Sequence, residues 1–229
     1  MSASHTLLAT LGLAFVASAQ AVPIVFDSIS SSSFAQADAG DASDGPFSEA
    51  GDGSLPIVSS AAASSADGDS ASANAFAESL FLTTSSEASA LSGNASGNAV
   101  STFTGNFNAL PGRLTLSLDF DAFIDQLATG LGSNALAVTL EIDGVTLYSD
   151  LLTASTAFDH SFLLASGGMG LLDLTLVSTT LAAPGDYAFS LGSVNAALDA
   201  TSVPEPGGMA LLAAGLLGLA WARRKPVRA

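Results

Sequence analysis

The chain has 229 residues, a formal net charge of −16 and no cysteine, so structural disulfides, a thiol nucleophile and a thiolate metal site are excluded. Between Val22 and Pro204, one basic residue (Arg113) stands against 20 acidic ones, which gives 1 − 20 = −19 for that part. A surface with this charge repels nucleic acid and anionic lipid, and its simplest interpretation is a solvated acidic exterior.

Residues 1–21 have the pattern of a secretory signal peptide. An apolar run over residues 7–17 is followed by the small residues Ala19-Gln20-Ala21, which fit a cleavage site, and Ala17-Ser18-Ala19 is a second option. The segment before the run departs from the pattern because it has no Lys or Arg. We expect a signal helix here and export through the Sec machinery.

Residues 27–108 are rich in Ser, Ala, Gly, Asn and Asp, a composition that by itself suggests disorder. Residues 71–82 and 99–107 nevertheless alternate small apolar with polar residues, which favours strands, and Asp67-Gly68 predicts a hairpin turn. Alanine makes helix the main alternative, but the repeated Ser, Asn and Gly argue against it. We expect long strands with small inward side chains, and a partly irregular stretch over residues 22–56.

The second half alternates more clearly. Leu114, Leu116, Leu118 and Phe120 share one face of a predicted antiparallel strand. Asp143-Gly144 predicts a hairpin between residues 136–142 and 145–148. Further strands are expected at residues 158–164, 170–181 and 187–194, and residues 195–202 are expected to be a short spacer. The pattern favours an all-β fold, an antiparallel β-sandwich that is jelly-roll-like.

Two groups of acids are candidate sites. Asp38, Asp41 and Asp44 are candidate calcium ligands, but they recur at every third residue, whereas an EF-hand loop uses every second one. A solvated acidic loop is the default interpretation, and no other cofactor is expected. Asp119 and Asp121 share a strand face, as a glycoside hydrolase pair would, although such acids are far more often there for solubility.

The sequence does not predict an enzyme. His160 is the only histidine after the signal peptide, so a zinc site with two or three histidines is excluded by count. No Gly-x-Ser-x-Gly elbow accompanies the many serines. A hydrolase is therefore the least favoured function.

The last 27 residues contain three different pieces in a fixed order. Val203-Pro204-Glu205-Pro206 is extended and accessible because proline fixes φ and lacks an N–H donor. Residues 207–222 carry no charge and would span about 24 Å as a helix. Arg223-Arg224-Lys225 then stops transfer and stays cytoplasmic. We expect a single transmembrane helix with the body outside.

This order resembles the PEP-CTERM sorting signal of Gram-negative bacteria. The resemblance implies that Pro204-Glu205-Pro206 is recognised by an exosortase, a transpeptidase-like membrane enzyme. It also implies an inner-membrane precursor with a periplasmic body, sorting to the cell surface or outside, and a host that makes exopolysaccharide and biofilm. Three segments are thus expected: a signal peptide (1–21), an exported acidic domain (22–202) and the sorting signal (203–229).

Two functions remain open for the exported domain. The first is a non-enzymatic surface or extracellular-matrix protein. The second is a carbohydrate-binding or calcium-dependent adhesive module, which an all-β fold would suit by analogy alone. The only tryptophan, Trp221, lies in the apolar run of the tail, and this counts against a lectin-like aromatic platform.

Overall fold

The computed structural model describes residues 21–52, 55–202 and 215–216. The expected signal helix and sorting tail therefore lie almost wholly outside the described residues. Within these ranges no helix has the length and apolarity needed to cross a bilayer. The described residues form thirteen strands: β1 (Val22–Pro23), β2 (Phe26–Ala39), β3 (Ala42–Gly51), β4 (Ile57–Ser64), β5 (Ser70–Glu78), β6 (Phe81–Ser89), β7 (Ala95–Ala109), β8 (Gly112–Leu127), β9 (Leu131–Ile142), β10 (Val145–Leu152), β11 (Thr156–Leu164), β12 (Gly168–Ala182) and β13 (Tyr187–Ser202).

The strands form two antiparallel sheets that face each other. Sheet A has the order β11-β8-β13-β6-β5-β4, and the short β1 also pairs with β13. Sheet B has the order β10-β9-β12-β7-β2-β3. The body is therefore an all-β, two-sheet antiparallel β-sandwich, and its jelly-roll-like character stays a prediction.

Large side chains fill one side of the space between the sheets. The alternation in β8 buries its first three leucines, and Leu136, Leu140, Leu172 and Leu174 meet them from sheet B. Phe103 and Phe107 of β7 complete this cluster, with Phe26 packed edge-on against both rings. This half of the core confirms the period-two pattern read from the sequence.

Alanine fills the other side, between β2 and β7 of sheet B and β4, β5 and β6 of sheet A. Ala35, Ala37 and Ala73 are fully buried there. The sheets come very close at Gly97 of β7, where an added Cβ would lie 2.7 Å from the backbone oxygen of Ser72 in the opposite sheet. The expectation of small inward side chains is thus confirmed.

A buried polar network fixes the two sheets against each other. Asn134 of β9 donates from Nδ2 to the carbonyl oxygens of Phe123 and Leu191, both at 3.0 Å. Its Oδ1 accepts from the hydroxyls of Ser178 (2.5 Å) and Ser190 (2.7 Å). Because a shifted register would leave these buried groups unpaired, the network favours one alignment of the sheets.

The long strands give the body two distinct ends. Sixteen residues of β13 extend over about 50 Å. One end contains Ser202 and the β7–β8 turn at Leu110-Pro111. The start of the body lies at the same end, because Val22 pairs with Ala200. We call this the tail-proximal end, and the opposite one, which holds the β2–β3 turn, the tail-distal end.

Two boundary predictions were wrong. Residues 195–202 are not a spacer, since they continue β13 and pair with β8 down to Gly112. Residues 71–82 are not one strand, since Ser79 takes a positive φ of 50° and a turn separates β5 from β6. The irregularity expected over residues 22–56 is confined to short connections, because β1, β2 and β3 occupy most of that stretch.

Gly97→Ala should destabilise the body, because its Cβ would meet backbone rather than a movable side chain. We expect the free energy of unfolding to fall by about 1–3 kcal/mol, as for other overpacked cores. Urea unfolding measures this, with Ser96→Ala on the outward face of the same strand as the control, expected within about 0.5 kcal/mol of the parent. Equal stability of the two variants would contradict the close approach of the sheets.

Candidate functional site

The three candidate calcium ligands lie at the tail-distal end, where they have different partners. Asp44 accepts the backbone N–H of Ala62 at 2.9 Å, and Asp38 accepts from the amide of Gln36 at 3.2 Å. Asp41 is exposed in the turn between β2 and β3. In the described ranges no three His, Cys, Asp or Glu side chains come together in a way that could hold a metal ion. Calcium binding at these residues stays a prediction.

A nearby acid, Asp69, has a clear structural role that the sequence reading missed. Its carboxylate accepts the backbone N–H groups of Leu91 (2.7 Å), Ser92 (2.9 Å) and Gly93 (3.0 Å). These hydrogen bonds hold the pKa of Asp69 below its usual value, and the bond from Ser92 contributes most. Desolvation by burial acts in the opposite direction and raises the pKa, but by less than the bonds lower it. The Asp67-Gly68 turn was predicted correctly, and Asp69, two residues later, joins that turn to the β6–β7 loop.

His160 belongs to an aromatic cluster at the edge of the sandwich. Its ring lies 4.9 Å from Tyr148 of β10 and 4.7 Å from Phe158 of β11. Tyr148 and Phe158 also contact each other across the two sheets, with centroids 5.4 Å apart. Desolvation, followed by the charge of Asp150, raises the pKa of the Tyr148 hydroxyl. Tyr148 and Phe158 are partly buried against the leucine core, and His160 lies exposed beside them.

The outer face of sheet A carries a groove of about 370 Å³ over β11, β8 and β13. We call it the sheet A groove. A continuous cross-strand row passes through it, from Ala157 to Asp119 to Asn195. The next residue in the row is Phe81 of β6, which is paired with Asn195 and 43% exposed. Asp159 and Ser117 line one side of the row.

The sheet A groove places planar polar groups beside an exposed aromatic ring. Asp119 and Asn195 supply carboxylate and amide groups, and the Phe81 ring stands edge-on to Phe76 with centroids 6.1 Å apart. Asp121, the second member of the predicted acid pair, lies one row further along and is paired with Ser193. The sequence predicted the shared face of the two aspartates, but the residues from β6, β11 and β13 come together only through strand pairing.

The tail leaves the body from the middle of sheet A. β13 ends at Ser202, between β8 and β1, one residue before the Val203-Pro204-Glu205-Pro206 motif. Both the motif and Arg223-Arg224-Lys225 lie outside the described residues. The start of the body is next to this exit, because Val22 pairs with Ala200 and Ile24 donates to the carbonyl of Leu198 at 2.8 Å.

Residues 202–225 match the family model of the PEP-CTERM protein-sorting motif. The resemblance read from the tail is therefore confirmed, and it implies export through a membrane-anchored precursor that an exosortase sorts to the cell surface. Comparison with curated proteins finds no significant match.

Among solved structures the similarities are weak. TmCBM61 in complex with beta-1,4-galactotriose has 11% identity and a TM-score of 0.25, over 63% of this chain and 88% of that one. The infectious bursal disease virus VP2 subviral particle has 10% identity and a TM-score of 0.23, over 82% and 67% respectively.

Asp69→Asn should lower stability in a pH-dependent way. Because the folded-state pKa is below the unfolded one, the carboxylate stabilises the fold above about pH 4, and this is lost as the pH falls through the folded pKa. The urea midpoint of the variant should therefore lie below the parent's at pH 7, with a gap that narrows below pH 4. Asp67→Asn, in the exposed turn, is the control, and a gap that does not change with pH would contradict this role.

Proposed function

We propose that this chain is an exported, non-enzymatic surface or extracellular-matrix protein. In this proposal the Sec machinery exports it, the inner membrane holds it by its tail, and an exosortase then processes it at the Pro204-Glu205-Pro206 motif. Exopolysaccharide and biofilm are the proposed setting of the released or anchored body.

The observation that carries this proposal is the sorting motif, which begins where the last strand of the folded body ends. Removal of the tail after residue 202 leaves both sheets complete, since every described strand lies within residues 22–202. The body therefore keeps its core when it is separated from the membrane. Its acidic surface would also keep the released body dispersed.

The sheet A groove favours a second, compatible function, the binding of a neutral glycan. Planar carboxylate and amide side chains can each hydrogen-bond two neighbouring sugar hydroxyls, and an exposed aromatic ring can cover an apolar sugar face. The row from β11 to β6 crosses three inter-strand gaps, about 14 Å in all, close to the length of a linear trisaccharide. The acids in and beside the groove disfavour anionic polysaccharides.

Processing can be measured by the intact mass of the protein released from cells that have the exosortase. The released form should lack residues 1–21 and the tail from residue 207 onward. Replacement of Pro204-Glu205-Pro206 by three alanines should leave the tail attached and the protein in the membrane fraction. Release of that variant at the parental level, or an arginine tail on most of the released protein, would refute sorting through the motif.

Glycan binding can be tested by calorimetry of the full chain with cellotriose, maltotriose and laminaritriose. Asn195→Ala should weaken the binding of the trisaccharide that is recognised by about tenfold, the effect of about 1.4 kcal/mol of lost hydrogen bonding. Asn74→Ala, an exposed asparagine of sheet A outside the groove, should change nothing. Phe81→Ala and Phe123→Ala form a second matched pair, since both rings are exposed on this face.

Glycan binding is contradicted if none of the three sugars gives a heat of binding. It is also contradicted if Asn195→Ala weakens binding no more than Asn74→Ala, and Phe81→Ala no more than Phe123→Ala. Trigalacturonate is the anionic control and should not bind. A response to calcium alone would point to the acids of the tail-distal end instead of the groove.

A further inference from the structure

We propose that the tail-proximal end of the body rests on the surface of the lipid bilayer while the tail is still attached. This inference rests on the proposed function, because it concerns the membrane-anchored precursor. It adds a second attachment, made by the folded body itself, to the attachment made by the tail.

Exposed apolar side chains surround the point where the tail leaves. Val22 and Val25, 60% and 82% exposed, border a groove of about 280 Å³ together with Leu110, which is 68% exposed. Leu163 of β11, which is 79% exposed, lies at the same end opposite Arg113 of β8. Met169 of β12, which is 68% exposed, lies there opposite Asn108 of β7. These side chains come from both sheets and from the turns that border the exit of the tail.

The length of the chain after Ser202 places this end near the bilayer. Four residues, 203–206, separate β13 from the uncharged run that begins at Gly207. Even fully extended, four residues reach about 14 Å. Leu110 belongs to the groove that also contains Thr201, so a bilayer entered by the tail lies within reach of it.

The distribution of charge also fits a lipid surface. The single basic residue of the body, Arg113, is exposed and pairs with Thr201 at this end. Three acids lie near this end: Asp27 accepts from the amide of Asn108, Asp143 accepts from the backbone of Met169, and Asp199 of β13 lies opposite Pro23 of β1. Asp38, Asp41 and Asp44 lie at the other end of strands about 50 Å long, where the membrane does not reach them.

Docking of this kind would hold both processing points at the membrane surface. Val22, at the predicted signal-peptide cleavage site, and Ser202, before the sorting motif, are on neighbouring strands. The motif would then lie at the membrane surface, where a membrane enzyme can reach it, and the acidic tail-distal end would point away from the lipid.

The absence of cysteine makes a direct test available. Leu110→Cys and Met169→Cys, each labelled with an environment-sensitive NBD dye, report on the tail-proximal end of the full chain in phosphatidylcholine vesicles. Leu91→Cys is the matched control at the tail-distal end, since Leu91 is 67% exposed and Leu110 is 68% exposed. Vesicles with nitroxide-labelled lipids quench any dye that contacts the bilayer, and Trp221 reports on the tail in the same samples.

The expected result is a blue-shifted emission at positions 110 and 169, and quenching there several-fold stronger than at position 91, while Trp221 is also quenched. If Trp221 is quenched but all three dyes are quenched equally and weakly, docking is overturned, while the membrane-anchored stage of the proposed function still holds. If neither Trp221 nor any dye is quenched, docking and the membrane-anchored stage of the proposed function both fail. Equal strong quenching at position 91 would also overturn the proposal, because the contact would then not be confined to one end.

Discussion

The close approach of the two sheets on their alanine side is the constraint on which the rest of the structure depends. At Gly97 the backbone of one sheet nearly contacts the backbone of the other, so no larger residue fits there. On the other side, leucine and phenylalanine hold the sheets apart. Because each inward position fills a space of fixed size, the volume of the side chain, more than its polarity, decides what each position tolerates.

The Asn134 network lies where these two packings meet. It joins β9 and β12 of one sheet to β13 of the other, and it also reaches the carbonyl of Phe123 in β8. A core of alanine offers few interlocking shapes, and buried hydrogen bonds supply a directional constraint that apolar contact does not. The long strands can therefore keep one register over many residues, and this register aligns the cross-strand row of the sheet A groove.

The position of β13 connects the fold to export. This strand is in the middle of sheet A, paired with β8 along its whole length and with β6 and β1 on its other side. Tension on the tail is therefore carried directly into the centre of the sheet instead of into an edge strand. The start and the end of the folded body are also adjacent, so one face of the molecule can serve both export and sorting, and the long outer faces remain available for partners.

The sequence by itself determined the alternation of buried and exposed residues in the second half, the Asp143-Gly144 hairpin turn, and the sorting motif. Each of these depends on neighbours in the chain: the leucines of β8 at period two, the Asp143-Gly144 turn with both φ values positive, and the proline-flanked glutamate of the tail. The tertiary structure alone decided that residues 195–202 are a paired strand, that Asp69 joins two loops, and that Asp119, Asn195 and Phe81 form one row. Those features depend on partners tens of residues away, and local periodicity carries no information about which strands become neighbours.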